Sequence, residues 1–198
     1  QGRALSVSWE TLGAAKQLAE SLNTHITALI LGPQTDNLPR DAFAYGADNV
    51  ITIDNSHLTD YHPEPYATML TRWVEESAPD VILFPSTSRG RELAAMIAID
   101  LRTGVLPDAI NLKLDDDRVI VTRPIYGGKI LARVMCKTKP QIITISKSYF
   151  APPAYDTTRS GVLINGKGTI TENEIRTKVI RHTPVENNAS LTDALVII

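Results

Sequence analysis

Apolar residues recur along the first half of the chain in two alternating patterns, one with helical spacing and one continuous. The helical spacing predicts helices over residues 6–22, 40–45, 66–77 and 93–101. The continuous runs predict strands over residues 26–31, 50–53 and 81–84, and we expect the first of these to be covered on both sides. Strands that alternate with helices in this way predict a parallel sheet with helices on its faces.

Individual residues mark the expected ends of two helices. Ser6 or Ser8 can cap the first helix with its hydroxyl group, and Asn23 can end it. Gly104 is expected to stop the helix over residues 93–101, because glycine readily takes the backbone conformation that follows a helix.

The pattern changes after residue 105. Short apolar runs follow over residues 109–114, 119–123, 129–136 and 141–146. They are joined by the turn signals Asp115-Asp116-Asp117, Tyr126-Gly127-Gly128 and Thr138-Lys139-Pro140. Short runs joined by turns predict an antiparallel extension of the sheet. The predicted fold class is therefore α/β, a three-layer sheet with a parallel core and an antiparallel extension.

The distribution of apolar residues also predicts the domain organisation. Residues 1–150 are expected to form one domain, and the polar residues 151–193 an arm or linker with little core of its own. Residues 194–198 look like the opening of a strand in a further domain. In a fold of this kind a strand would normally precede the first helix, but the residues before Ser6 do not have the pattern of a strand. We therefore expect the first strand to be missing and the sequence to be a piece of a longer polypeptide.

Composition narrows the function classes. The chain has 198 residues, 43% of them hydrophobic, and a net charge of −2, which favours a globular core and argues against nucleic-acid binding. No apolar stretch approaches the roughly 20 residues of a membrane span, so direct membrane insertion is not expected. The single Cys136 fits a reducing compartment, and hence the cytoplasm. Its flanks suit a buried small hydrophobe, with a reactive thiol as the alternative.

One candidate for ligand binding is the segment from Ser86 to Arg91, where a strand ends and a helix begins. Backbone N–H groups, hydroxyls and two arginines could hold a phosphate or carboxylate there. Alternatively, Ser86 or Ser88 caps the helix and the arginines Arg89 and Arg91 are solvated. The second interpretation is favoured because the chain lacks a glycine-rich phosphate loop.

A second candidate is Arg123 with the turn Tyr126-Gly127-Gly128 that follows it. The turn permits positive φ and close approach by another group, and the guanidinium at the end of the preceding strand could face an anionic group. A plain hairpin with one surface arginine explains the same residues.

Other kinds of chemistry have weaker support. The four histidines, which are His25, His57, His62 and His182, lack metal-ligand spacing. Asp115 to Asp117 lack the glycine and glutamate that a calcium loop needs. No serine lies in a nucleophile elbow and no catalytic triad can be argued, so neither a metal site nor a catalytic residue is predicted.

Three stretches of the sequence carry a resemblance: residues 7–15, residues 90–95 with 103–108, and residues 123–132 with 140–144. In order and spacing over residues 3–150, they resemble the alpha subunit of electron transfer flavoprotein. The chain is most similar to the Fix-type branch of that family. The resemblance implies an amino-terminal domain of the adenine-nucleotide hydrolase-like fold, followed by a linker and lacking the carboxy-terminal FAD domain.

The resemblance also implies a function. It implies an electron carrier subunit rather than an enzyme, which pairs with a beta subunit. FAD would be bound mainly by the missing domain, with none required in this fragment. Electrons would pass from an acyl-CoA-type dehydrogenase to a quinone reductase or another acceptor. Arg123 matches the position that approaches a second flavin in the beta subunit of some relatives, although Lys129 stands where many members have asparagine.

Two other classes remain open at this stage. A stand-alone nucleotide-binding domain would use the segment from Ser86 to Arg91 to hold phosphate. A hydrolase or transferase has no residue constellation in its favour.

Overall fold

The computed structural model describes residues 4–33, 37–166, 168, 170–181 and 183. The helices are α1 (Ser6–Leu22), α2 (Leu38–Ala44), α3 (Pro63–Ser77) and α4 (Ser88–Asp100). The strands in the first half are β1 (Thr27–Leu31), β2 (Asn49–Ile53) and β3 (Val81–Pro85). The later strands are β4 (Val105–Ala109), β5 (Asn111–Asp115), β6 (Arg118–Ile125), β7 (Ile130–Val134), β8 (Gln141–Ile145) and β9 (Val162–Asn165). In this described part, no helix is long and apolar enough to cross a bilayer.

The strands form two parallel sheets, ordered β1-β2-β9 and β3-β8-β4, and one antiparallel sheet, ordered β5-β6-β7. The predicted α/β fold with parallel and antiparallel parts is confirmed. The assignment of residues 141–146 to the antiparallel part is wrong, because β8 runs parallel between β3 and β4. All five of its residues are buried, and a continuously buried strand is typical of the centre of a parallel sheet.

Helices cover the sheet β3-β8-β4 on both faces, which gives three layers. On one face, Ala14 and Leu18 of α1 share a core cluster with Ile143 and Ile145 of β8. On the other face, Ile142 packs in a cluster with residues of α3 and α4. Each face of β8 therefore buries branched aliphatic side chains, a large stabilising contribution for a short strand.

Strands β1 and β3 have helices against both faces but are less buried than the central strand β8. Their residues are mostly half-buried, in contrast to β8. Within the described residues, β1 pairs only with β2, and β3 pairs only with β8. Each thus has one edge without a hydrogen-bonded neighbour, although α1 and the α3–α4 cluster contact side chains of both strands. The predicted cover of residues 26–31 on both sides is confirmed, because Ala28 and Ile30 pack towards α1 and Leu29 and Leu31 pack towards the α3–α4 cluster.

The helix ends differ in part from the predictions. Helix α1 ends at Asn23 in the left-handed conformation, as predicted. Its N-cap residue is Leu5, so the proposed caps by Ser6 or Ser8 are wrong. Helix α4 ends before Gly104, because Arg102 takes the positive φ of 54° that reverses the chain.

One buried side chain ties the antiparallel sheet to the parallel sheet. Gln141 of β8 accepts a hydrogen bond from the Val119 N–H at 2.7 Å and donates one to the Val119 carbonyl at 3.1 Å. Val119 lies beyond Val121, which is the first residue of β6 paired with β7. The Gln141 amide therefore satisfies backbone groups for which β7 supplies no partner.

The segment after residue 150 crosses back over the helices. The Ala151 carbonyl lies against Gly13 of α1, where a Cβ would overlap it. Ile170 is buried in a cluster with Ile51 and Ile53 of β2, so the predicted arm contributes to the core. Its boundary at residue 150 stays a prediction, and the strand predicted at residues 194–198 lies outside the described residues.

Candidate functional site

The first candidate segment forms the N-terminus of α4. Thr87, not Ser86 or Ser88, is the cap, and its hydroxyl accepts a hydrogen bond from the Gly90 N–H at 3.0 Å. Gly90 fits closely against the preceding strand, since a Cβ there would overlap the Pro85 carbonyl oxygen. The predicted caps, Ser86 or Ser88, are therefore wrong, although a hydroxyl side chain does cap the helix.

The two arginines of this segment are engaged rather than simply solvated, which corrects the prediction. Arg89 lies over the ring of Tyr61, with 4.3 Å from its guanidinium carbon to the ring centroid. Arg91 donates to Asp108 Oδ1 from Nε at 3.1 Å and from Nη2 at 2.9 Å. Both guanidinium groups have partners within the chain.

Asp108 is the residue that organises this edge of the sheet. It occupies the irregular part of β4, where the register with β8 shifts between Leu106 and Ala109, and its φ is 58°. Its Oδ1 accepts from Ser86 Oγ at 2.6 Å as well as from Arg91. Its N–H donates to Thr144 Oγ1 at 2.9 Å. Aspartate tolerates the left-handed conformation better than most residues, which suits it to this position.

The charge of Asp108 is stabilised by its surroundings. Burial raises the pKa of its carboxyl, but hydrogen bonds from Ser86 and Arg91 and the charges of Arg91 and Arg123 lower it more. Its pKa therefore lies below the ordinary value, and the carboxylate is ionised at neutral pH.

Arg123 lies within β6 rather than at its end, which corrects the prediction. Strand alternation puts it on the same side as Val119 and Val121, which are buried in the core. Its Nε is buried without a hydrogen-bond partner among the described residues, and its charge acts on the carboxylate of Asp108. An unpartnered buried donor on a cation is costly unless another group satisfies it.

The structure thus brings the two sequence candidates, Ser86 to Arg91 and Arg123, to one carboxylate. Sequence reasoning did not assign a role to Asp108. A usable signal was present, because Asp108 lies near the end of a parallel strand and such ends commonly carry functional residues.

The turn after β6 has the predicted geometry. Tyr126, Gly127 and Gly128 have φ values of 51°, 66° and 86°. No atom lies within 4 Å of the place where a Cβ would stand on Gly127 or Gly128. Tyr126 is 76% exposed. The turn projects into open space, in contrast to the closed N-terminus of α4.

These residues do not form a cradle for the pyrophosphate of a dinucleotide. At α4 the Gly90 N–H is capped, the space beside Gly90 is filled, and Arg91 is bound to Asp108. Arg123 can contact an anionic or electron-rich group brought to it, but one side chain does not hold a cofactor. FAD binding by these residues alone is therefore not supported.

Cys136 is half-buried rather than fully buried. Its Sγ lies 3.1 Å from the Thr138 hydroxyl and 3.6 Å from the Thr103 hydroxyl. Burial raises the pKa of the thiol, but hydrogen bonds from Thr138, Thr103 and the Gly104 backbone lower it more, to about 7. Among the described residues, no three His, Cys, Asp or Glu side chains form a group that could hold a metal ion, and His182 is not among the residues described.

Comparison with known proteins identifies a family. The family model described as "Electron transfer flavoprotein domain" matches residues 1–167. An electron transfer flavoprotein subunit alpha from Thermoanaerobacterium thermosaccharolyticum is 34% identical, over 100% of this chain and 61% of the relative. Protein FixB from Rhizobium meliloti is 35% identical, over 90% of this chain and 52% of the relative. The subunit alpha from Bacillus subtilis is 28% identical, over 100% of this chain and 60% of the relative. The chain thus spans between half and two thirds of the length of these relatives.

Proposed function

This chain belongs to the electron transfer flavoprotein family, and on that premise we propose that it is the amino-terminal scaffold domain of an alpha subunit. The observation that carries the proposal is the continuous match over residues 1–167, together with relatives named as alpha subunits or FixB. The scaffold would position a redox cofactor carried largely by other parts of the assembly. It would serve as an electron carrier subunit rather than as an enzyme.

The partner we propose is a beta subunit, since the relatives are named as alpha subunits. FAD would be bound mainly by a carboxy-terminal part of the alpha subunit, which accords with the absence of a pyrophosphate cradle among the described residues around α4. An acyl-CoA-type dehydrogenase would supply electrons, and a quinone reductase or another acceptor would receive them. The single cysteine supports a reducing compartment such as the cytoplasm.

Within this assembly we propose that Arg123 approaches a flavin held by the beta subunit. Two observations support the role: its buried Nε has no partner in the described structure, and its positive charge lowers the pKa of Asp108, which shows that the charge acts at this edge of the sheet. A flavin stores electrons and becomes anionic when reduced, and a fixed positive charge close by favours that form. Asp108 would act through Arg123, since its carboxylate attracts the Arg123 guanidinium, and Arg91 would fix the position of that carboxylate by its hydrogen bonds.

The test uses the full-length alpha subunit assembled with its beta subunit. Arg123→Ala should lower the reduction potential of one flavin by about 60 mV, which corresponds to a tenfold change in a one-electron equilibrium. Arg123→Lys should restore part of the shift. The exposed Arg40 provides a control, since Arg40→Ala should leave both potentials unchanged. Unaltered potentials in Arg123→Ala would remove the assigned role, while a pair without flavin would overturn the wider proposal.

The alternative, a stand-alone nucleotide-binding domain, is less well supported. Its phosphate site would be the N-terminus of α4, where the groups that would bind phosphate already have partners within the chain. Titration of the 198-residue chain with AMP and with FAD separates the two functions. Stoichiometric AMP binding that is lost in Arg91→Ala would favour the alternative, and no binding of either ligand agrees with the scaffold.

A further inference from the structure

The segment that follows β9 runs along helix α3. We call residues 170–177 the strap. Within it, Glu174 forms an ion pair with Arg72 of α3. Arg176 and Thr177 bind Glu64, which lies about two turns nearer to the N-terminus of the same helix. The strap therefore follows α3 in the direction opposite to that of the helix.

The first part of the strap is anchored in the core. Ile170 is 7% exposed and belongs to the cluster of β2, and Ile175 packs against the same cluster. Just before the strap, the Asn55 side-chain amide donates a hydrogen bond to the Gly168 carbonyl at 2.6 Å. A Cβ on Gly168 would overlap the side chain of Ile53, so the main chain lies directly on β2. This part cannot leave the domain without exposing apolar surface of the core.

The end of the strap is held in a different way, by one carboxylate. Glu64 Oε2 accepts hydrogen bonds from the Arg176 N–H at 2.8 Å, the Thr177 N–H at 3.2 Å and the Thr177 hydroxyl at 3.3 Å. Within the described part of the chain, Arg176 and Thr177 form no other hydrogen bond. The Arg176 side chain is 90% exposed, and Thr177 is exposed as well. Little apolar contact therefore supports this end.

The sequence around Glu64 explains why its carboxylate is available to the strap. Pro63 and Pro65 flank it in the first turn of α3, and proline has no N–H that the carboxylate could accept. The positive end of the helix dipole favours a negative charge at this position. The Arg176 N–H lowers the pKa of the Glu64 carboxyl more than burial raises it, so the pKa lies below its ordinary value. Glu64 is thus ionised when it binds the strap at neutral pH.

We propose that Glu64 is a latch that holds the end of the strap on α3, and that the strap can open at Arg176 and Thr177 while the rest of the domain stays folded. Segments held by few, exposed hydrogen bonds open at a lower free energy than the core does. This inference goes beyond the proposed function and does not depend on it. In the proposed alpha subunit, the latch would determine how the connection to the carboxy-terminal part is held.

The experiment measures trypsin cleavage of the full-length alpha subunit, assembled with its beta subunit, by mass spectrometry. Cleavage after Arg176 follows the population of the open strap when opening and closing are fast. Glu64→Gln should raise this rate about 10-fold, because a neutral amide oxygen accepts weaker hydrogen bonds than a carboxylate. The matched control is Glu75→Gln, at an exposed position of the same helix, which should change the rate less than 2-fold.

A second cleavage site separates local opening from unfolding of the whole domain. Arg118 begins β6 and precedes Val119, which is fully buried, so cleavage there requires the domain to unfold. Glu64→Gln should change the rate after Arg118 less than 2-fold. Ile170→Ala removes apolar contacts from the core and should raise the rates after Arg176 and after Arg118 together.

Three results would overturn the latch. The first is an unchanged rate after Arg176 in Glu64→Gln. The second is an equal increase after Arg176 and Arg118 in that variant, which would mean that Glu64 stabilises the whole fold. The third is an increase after Arg176 alone in Ile170→Ala, which would mean that the anchored part opens locally too. Failure of the wild-type subunits to assemble would count against the proposed function instead, and the same comparison on the alpha subunit alone would still test the latch.

Discussion

The N-terminus of α4 and the β6–β7 turn both contain glycine and basic residues, yet the structure uses them in opposite ways. At α4 the glycine is packed against a carbonyl and Arg91 is bound to Asp108. At the turn the glycines face open space and Lys129 has no ion pair in the described structure. The polar groups at the α4 N-terminus form hydrogen bonds within the chain, whereas the turn is exposed and can be contacted by another molecule. Residue type alone does not distinguish a structural segment from a binding segment.

The largest expected difference in stability is between two glycine-to-alanine substitutions, one in each region. Gly90→Ala should destabilise the chain by about 3 kcal/mol, because its Cβ would overlap the Pro85 carbonyl oxygen. Gly128→Ala should cost only about 1 kcal/mol, which reflects the positive φ in open space. Urea denaturation of the two variants measures the difference. Equal losses would mean that the two regions are packed alike.

The link between the parallel and the antiparallel sheet can be broken at Gln141. Gln141→Leu should cost about 2 kcal/mol, because it leaves the buried N–H and carbonyl of Val119 without their partner. The exposed Gln17 donates a hydrogen bond to the Leu112 carbonyl at 3.2 Å and provides the control. Gln17→Leu should change stability by less than about 0.5 kcal/mol in the same denaturation assay.

The closed region should also carry a pH dependence. Asp108→Asn should cost about 1 kcal/mol at pH 7, where the wild-type carboxylate binds Arg91 and Ser86. The pKa of Asp108 is lowered by folding, so its contribution is present above the unfolded pKa of about 3.9 and is lost as pH falls through the folded value. Denaturation curves across this range should therefore converge in acid. A difference that stayed constant down to pH 2 would show that the charge is not involved.

The smallest change in stability is expected from a substitution on the exposed β6–β7 hairpin. Leu131→Ser should change the stability of the chain alone by less than about 0.5 kcal/mol, since the side chain is already 60% exposed. Thermal melting of the isolated chain provides the measurement. A loss of several degrees would indicate that Leu131 is packed within the fold, which would contradict the contrast between the two regions.

Local patterns in the sequence predicted the helices and most strands well. Helix α1 has the predicted bounds at both ends, because its apolar spacing and Asn23 are local signals. The neighbours of β8 were not predicted, since a strand's partners are set by contacts distant in sequence. The buried run of residues 141–145 did carry a hint, because strands exposed on one face alternate instead.

The candidate site was predicted in part. Both segments were identified, but Asp108, which joins them, was not, because its role depends on a shifted register in β4 that no local pattern shows. Cap choice failed for a similar reason, as Ser86, Thr87 and Ser88 are all suitable cap residues and only the backbone decides among them. The exposure of the β6–β7 turn could not be predicted either, because it depends on which residues pack near the turn in the folded chain.

The amide of Gln141 has a consequence for which residues this position can accept. Its oxygen and nitrogen meet an N–H and a carbonyl of the same residue, Val119. Glutamate has the same shape, but its charged form would set a negative oxygen against the carbonyl and lose one of the two bonds. Leucine offers neither bond, and asparagine is one methylene too short. The identity of residue 141 is therefore dictated by the main chain of a strand that precedes it by 22 positions.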